Sequence, residues 1–184
     1  IEATRLDYKL ALEEIKPKSW LKSVSAFANS HGGLILFGVT NDTHQAMGVN
    51  DPQAVASKIA ELISSRISPA PRYILETFPS DDGVRQCIKL SVQNGPSYPY
   101  YYAFDRVREA YVRHGDRSEL ASDFELNNLI LKGMNKTYDS MPSSKKYSDV
   151  SFTLLGATYK KETGDELFFP RDLVSMCMMT DGDQ

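Results

Sequence analysis

The chain has 184 residues, of which 41% are hydrophobic and 24% charged, and its formal net charge is −3 at neutral pH. This composition supports a folded core and excludes an intrinsically disordered chain. No apolar run reaches the roughly 18 residues of a membrane span. A pI of about 5.6 argues against a strong, non-specific nucleic-acid binder, because neutralising phosphates normally takes a surplus of lysine and arginine. A local basic face is still compatible with it.

Cysteine usage and the chain ends give two further expectations. Cys87 and Cys177 are far apart and show no zinc or redox spacing, which is typical of a reduced, cytoplasmic protein. The chain begins at Ile1 instead of methionine and ends in the polar TDGDQ, directly after the apolar LVSMCMM. We therefore expect a fragment of a longer protein, with a further C-terminal part as a partner of this one.

Alternation of apolar and polar residues over 6–10 predicts an early strand. Ser19 is a candidate N-cap for a first helix with apolar residues at helical spacing. Asn29, Gly32 and Gly33 end that helix, and glycine suits both the stop and a close approach of the next strand. LILFGV, at 34–39, is apolar except for Gly38. Such a run predicts a central strand covered on both faces.

The following segments predict further helices and hairpins. Asp51-Pro52 reads as an N-cap followed by the first turn of a helix. RYILETF and CIKLSV predict one strand pair, and YPYYYAF and REAYVRH a second pair joined around Asp105-Arg106. Ser122 and Glu125 have the spacing of a capping box, which begins a helix that runs to about Gly133.

These elements predict an α+β fold with a mixed sheet, in which a central buried strand is flanked by helices. We expect this domain to span residues 1–133. Residues 134–148 are polar and predict a linker. Residues 149–184 predict the start of a truncated, helical C-terminal region, with one helix from about Asp149 to Thr163 and a short one near Pro170.

Polar and acidic residues flank the predicted central strand. Thr40, Asn41 and Asp42 follow it directly, and strand ends of open sheets are frequent ligand positions. Glu2 and Asp7 flank the start of the first strand, so with Asp42 they converge if that strand lies beside the central one. Carboxylate oxygens are suitable ligands for magnesium or manganese in a nuclease. The alternatives are an ordinary Asn-Asp turn and solvated surface acids.

No phosphate-binding loop of the GxxxxGK[ST] or GxGxxG type occurs in the sequence, so ATP binding through such a loop is unsupported. The glycines of SHGG have a local explanation in the helix stop. His31, beside them, is placed to contact phosphate. The alternative for His31 is an ordinary loop residue.

Arginines and tyrosines alternate in YYYAFDRVREAYVRHGDRS. In a strand, Tyr111 and Arg113 share one face, and Arg108 and Arg117 lie nearby. Tyrosines can stack on bases while arginines hold phosphates, and Lys9 adds charge near the first helix. The alternative is a solvated strand face opposite a core face.

Several motifs together resemble the Schlafen/AlbA-type domain of bacterial transcriptional regulators. They are E-x-x-x-x-D-Y-K at 2–9, AFANSHGG, ILFGVTND and, later, AYVRHGDRS. The resemblance covers almost all of residues 1–133. It implies nucleic-acid binding, most directly of DNA, and no cofactor.

In the animal Schlafen branch, the same domain is associated with RNA cleavage by three acidic residues. The resemblance places two of them on Glu2 and Asp7 and the third on the neutral Asn41, with Asp42 one place later.

Three functions therefore remain open. The first is a non-catalytic DNA- or RNA-binding domain that uses Lys9, Arg108, Tyr111, Arg113 and Arg117, where a homodimer would double a weak basic face. The second is a magnesium- or manganese-dependent endoribonuclease. The third is a dimerisation or interaction module that binds no nucleic acid, which an apolar patch at residues 173–179 would favour.

Overall fold

Strands and helices alternate at the start of the chain, and six strands then follow one another before the next helix. The computed structural model describes residues 5–136, 149, 151–167 and 171–175. The chain divides into two units, residues 1–137 and 138–184. In the first unit the elements are β1 (Leu6–Lys9), α1 (Lys18–Asn29), β2 (Gly33–Phe37), α2 (Pro52–Arg66), β3 (Ile67–Ser68), β4 (Tyr73–Pro79), β5 (Gln86–Val92), β6 (Tyr101–Phe104), β7 (Val107–His114), β8 (Arg117–Leu120) and α3 (Asp123–Gly133). This is the predicted α+β class, with two sheets where the sequence suggested one.

The first sheet contains the predicted central strand. Its order is β1-β2-β5-β4, with β1 parallel to β2 and the other neighbours antiparallel. Ile35 and Phe37 of β2 are fully buried in the core with Trp20 of α1, whereas Leu34 is 36% exposed. Successive strand residues point to opposite faces. The strand is therefore central, but the expectation that both of its faces are covered is wrong.

The second sheet has the order β3-β6-β7-β8 and is antiparallel throughout. The predicted hairpin around Asp105-Arg106 is confirmed, because Phe104 lies opposite Val107. Both turn residues have positive φ, 49° and 64°, as two-residue hairpin turns require. A second tight turn joins β7 to β8.

Helix α1 lies between the two sheets. Nine of its 12 residues are buried, as expected of a helix covered on all sides. It begins at Lys18 with Pro17 as its N-cap and without a side-chain cap hydrogen bond, so the prediction of Ser19 as the N-cap is wrong. Proline has its φ fixed near the helical value, and the Pro17 carbonyl accepts from the Leu21 N–H at 2.9 Å.

Two polar side chains of α1 replace a missing residue pair in the second sheet. If the β6–β7 register continued by one more residue pair, Tyr100 would pair with Tyr111. Instead, Asn29 Oδ1 accepts from Tyr100 N at 2.7 Å, and Asn29 Nδ2 donates to the carbonyls of Tyr100 and Tyr111, both at 2.9 Å. Ser25 Oγ donates to the Tyr100 carbonyl and accepts from Tyr111 N. We call this buried set of hydrogen bonds the Asn29 bridge.

The twin glycines after α1 act as predicted. Gly32 has a φ of +76°, and its N–H donates to the Phe27 carbonyl at 2.9 Å, which closes the helix. A Cβ on Gly33 would overlap the ring of Phe27. Glycine therefore lets β2 pass directly beneath α1.

Two other predicted helix starts are confirmed. Asp51 Oδ1 accepts from the N–H of Ala54, and Pro52 is the first residue of α2. Ser122 and Glu125 form a reciprocal capping box at the start of α3, which satisfies two main-chain donors.

The second unit contains α4 (Thr153–Thr163) and α5 (Arg171–Ser175). Helix α4 begins four residues after the predicted Asp149 and ends, as predicted, at a left-handed Gly164. The predicted linker lies almost wholly outside the described residues. The same holds for the apolar patch at 173–179, of which Leu173 is described and is fully buried. Within the described ranges, no helix is long and apolar enough to cross a membrane.

Replacing Asn29 tests the bridge. Asn29→Ala leaves three buried main-chain groups with fewer partners, so we expect the free energy of unfolding to fall by about 2–4 kcal/mol. Urea denaturation measures this change. Asn50→Ala, at an exposed position, is the control and should stay within about 0.5 kcal/mol of the wild type. Equal effects of the two substitutions would contradict a structural role of the bridge.

Candidate nucleic-acid interface

Asp7 and Lys9 point from β1 toward α1 and join a polar network. Asp7 Oδ1 pairs with Lys9 Nζ at 2.8 Å, and Asp7 Oδ2 accepts from Ser23 Oγ at 2.7 Å. Ser118 Oγ donates to Ser23 Oγ and accepts from Arg113 Nη1. We call these five residues the Asp7 network. It brings together three predicted site residues, while the two serines that connect them were not predicted.

Arg113 is held rigidly between the two sheets. Its Nη2 donates to the Leu6 carbonyl at 3.1 Å, and its guanidinium lies 5.0 Å from the centroid of the Phe27 ring. Burial lowers the pKa of Arg113 below its ordinary value, and the charges of Asp7 and Asp116 oppose that change. Because arginine stays protonated in proteins, Arg113 is a fixed, partly buried cation.

Tyr111 is a core residue. It is 8% exposed, and its hydroxyl donates to Glu109 Oε2 at 2.6 Å. Lys18 Nζ pairs with the same oxygen at 2.7 Å, which raises the pKa of Lys18 and lowers the pKa of Glu109. In this conformation the Tyr111 ring is not available to stack on a base, contrary to the role that the sequence suggested.

Arg108 and Arg117 are both exposed but lie at opposite ends of the second sheet. The guanidinium of Arg108 sits 4.0 Å from the centroid of the Tyr101 ring. Arg108 and Arg113 are about 17 Å apart along β7, at roughly 3.3 Å per residue. Arg117 begins β8 opposite His114, on the Arg113 side. The four predicted cations therefore do not form one patch: Lys9, Arg113 and Arg117 gather at one end, and Arg108 lies at the other.

A cleft of about 430 Å³ lies at the C-terminal end of α1. Arg5, Arg113 and Lys132 are its lysine and arginine side chains, and His31 and His114 also line it. Glu125 is the carboxylate among the described residues that line it. We call it the α1 cleft. Arg5 and Lys132 were not predicted as site residues, because they come from distant segments and neither is a specified position of a motif.

His114 connects the β7–β8 hairpin to α3. Its Nδ1 lies 3.0 Å from Glu119 Oε2 and its Nε2 lies 2.6 Å from Glu125 Oε1. Hydrogen bonds to Glu119 and then to Glu125 raise the pKa of His114. The pKa of Glu125 is lowered, chiefly by the Ser122 N–H and hydroxyl and also by His114. The protonated imidazole is therefore the form that fits between both carboxylates.

The loop after β2 turns back over β1. Gly38 N donates to the Lys9 carbonyl at 2.8 Å, and the ring of His44 stacks on Tyr8 with centroids 4.2 Å apart. Asn41 and Asp42 lie in the exposed part of this loop.

The acidic residues do not assemble a metal site within the described ranges. No group of three Asp, Glu, His or Cys side chains placed to hold a metal ion occurs there. Both carboxylate oxygens of Asp7 already accept from Lys9 and Ser23. Glu2 lies outside the described residues, so its predicted role stays a prediction. The donors that are described do not fit a magnesium or manganese ion.

A family model described as "Schlafen, AlbA_2" matches residues 2–122 of this chain, which is more than half of it. The chain belongs to the Schlafen AlbA_2 family. The predicted resemblance is therefore confirmed, and the matched range contains α1, both sheets and the Asp7 network. No curated protein matches the chain.

Two solved structures are similar to this Schlafen AlbA_2 chain. The DIP2311 protein of Corynebacterium diphtheriae is 17% identical with a TM-score of 0.49, over 98% of this chain and 38% of that one. The N-terminal domain of a RecG-related protein from Nitrosomonas europaea is 24% identical with a TM-score of 0.47, over 64% of this chain and 82% of that one. The chain thus spans less than half the length of the Corynebacterium protein.

His114 makes the stability of the domain pH-dependent. Because its folded-state pKa is raised, its stabilising effect is complete below the ordinary histidine pKa of about 6.5 and is lost as pH rises through the folded-state pKa. Urea denaturation of the wild type and of His114→Gln at a series of pH values measures this effect. The difference between their free energies of unfolding should decline as the pH rises. Glu119→Gln removes the largest cause of the shift and should move the decline to lower pH. A difference that is constant over the whole range would contradict the ion pairs.

Proposed function

We propose that this Schlafen AlbA_2 domain binds nucleic acid, with DNA as the first ligand to test, and does not cleave it. The observation that best supports the proposal is the convergence of Arg5, Arg113 and Lys132 on the α1 cleft, in a chain whose net charge is −3. The single carboxylate that lines this cleft among the described residues, Glu125, is outnumbered by these cations. A concave site in which one sign of charge predominates concentrates ligands of the opposite sign. Phosphate groups are the ligands that such a site attracts.

Two exposed arginines add positive charge at the two ends of the second sheet. Arg117 lies at the same end of the second sheet as Arg113. Arg108 uses the face of its guanidinium against Tyr101, which leaves the in-plane N–H groups able to bind phosphate oxygens. Lys9 contributes less, because Asp7 neutralises it. Nucleic-acid binding is also what membership in this family implies, and we extend the proposal to a role as the binding module of a transcriptional regulator.

The absence of cleavage in this proposal rests on the acidic residues. Asp7 is engaged by Lys9 and Ser23, and the position after the central strand where the family pattern suggests an acid is the neutral Asn41. A neutral amide holds a divalent cation less strongly than a carboxylate does.

A salt titration tests the proposal. Affinity for labelled double-stranded DNA should fall steeply with salt, and Arg117→Ala should reduce the slope of log K against log salt by about one phosphate contact. Lys161→Ala, an exposed cation of the second unit, is the matched control and should leave the slope unchanged. Fluorescence anisotropy measures both affinities.

The same samples distinguish binding from catalysis. Gels run after incubation of DNA and of a structured RNA with manganese should show intact strands. Cleavage that Asp7→Ala abolishes would overturn the non-catalytic assignment. Binding that is undetectable or insensitive to salt would overturn the proposal as a whole.

A further inference from the structure

A second cavity, of about 410 Å³, lies beside the α1 cleft. The two cavities share Arg5, His31 and Gly32. The main chain forms the wall at their junction, since a Cβ on Gly32 would lie 2.8 Å from the carbonyl oxygen of Val92. We call the two cavities together the α1 groove. Each volume lies within the range of small-molecule sites, about 300–1,000 Å³.

The first half of the groove is cationic. Arg5, Arg113 and Lys132 line it, and Lys132 Nζ is 4.1 Å from the centroid of the Tyr98 ring. Glu125 adds one negative charge, and the C-terminal end of α1 adds a partial negative charge of about half a unit. The three full positive charges outweigh both. This half suits a phosphate group.

The second half has a different lining, made of amides and an apolar side chain. Gln93 and Asn94 are exposed at its rim, and Leu34, 36% exposed, supplies apolar surface. Asn94 Nδ2 lies 3.4 Å from the Tyr98 hydroxyl, so Tyr98 contacts a residue of each half. Amide side chains donate and accept hydrogen bonds as the edges of bases do. His31 and Arg5, at the junction, have planar groups of the kind that stack on bases.

We infer that the α1 groove takes one nucleotide of a single-stranded nucleic acid, with its phosphate beside Arg5, Arg113 and Lys132 and its base beside Leu34, Gln93 and Asn94. This inference rests on the proposed function and specifies its ligand. A base that is paired within a duplex lies in the base stack, and it would have to leave that stack to enter a concave site. A duplex therefore reaches the cations alone, whereas a single strand reaches both halves.

The test compares three ligands of similar backbone with the full chain. They are a labelled single strand, an abasic strand of the same length, and a blunt duplex, each studied by fluorescence anisotropy at one salt concentration. The wild type should bind the single strand about tenfold more tightly than the abasic strand, since stacking and edge contacts to one base have that order of magnitude. DNA and RNA strands are both measured.

The double variant Gln93→Ala/Asn94→Ala should lose this preference, because its affinity for the normal single strand should fall about tenfold. Its affinities for the abasic strand and for the duplex should stay within twofold of those of the wild type. Lys161→Ala, in the second unit, is the control for the loss of one exposed charge, and urea unfolding shows whether each variant is folded. Equal wild-type affinity for normal and abasic strands would overturn the inference and leave the proposed function standing. Failure to bind any of the three ligands would overturn both.

Discussion

The structure depends on a helix that is buried on all sides and yet carries polar residues. Helix α1 lies between two sheets, where an unpaired main-chain group would cost as much as a lost hydrogen bond. The Asn29 bridge resolves this conflict, because one side-chain amide serves as both donor and acceptor for Tyr100, directly before β6, and as donor for Tyr111, within β7. Without this bridge, these main-chain groups would need water or another strand at a position that α1 occupies.

The same helix also organises the interface. Ser23 and Asn29 project from different sides of α1: the serine reaches Asp7 and Ser118, and the asparagine reaches the second sheet. The C-terminal end of the helix then opens at the α1 cleft. One rigid helix therefore positions the Asp7 network, the Asn29 bridge and the α1 cleft. Their spacing does not depend on any flexible loop. Local charge can then differ from net charge, and a basic cleft occurs on an acidic chain.

Local signals made much of the fold predictable. Asp51 with Pro52 and Ser122 with Glu125 each specify a helix start within four residues, and the glycines at 32 and 33 specify the stop of α1. The prediction of Ser19 as the N-cap of α1 was wrong because a serine within the first helical turn cannot be told from an N-cap by residue type. Pro17, whose φ is fixed, is the N-cap instead. The openness of one face of β2 depends on what packs against it, and no pattern within the strand encodes that.

The site was less predictable than the fold for a related reason. Tyr111 has the spacing of an exposed stacking residue, but its burial comes from the helix that covers that face of β7. Arg5, His31, Arg113 and Lys132 meet only after the chain has folded, since they are separated by tens of residues and belong to four different segments. Family membership directs attention to the specified positions of the motifs. It gives no information on Arg5, which is an unspecified position of the first motif, or on Lys132, which lies outside the motifs.

Arg113 has two attachments that matter together. The guanidinium that lines the α1 cleft also holds the Leu6 carbonyl and thereby the outermost strand of the first sheet. Binding of a ligand by this guanidinium and the pairing of that strand are consequently linked. The free energy by which a bound ligand strengthens or weakens the pairing of the strand equals the free energy by which the pairing changes the affinity for the ligand. Edge-strand opening, seen as amide exchange in β1, would in that way report on occupancy of a cleft formed largely by other elements.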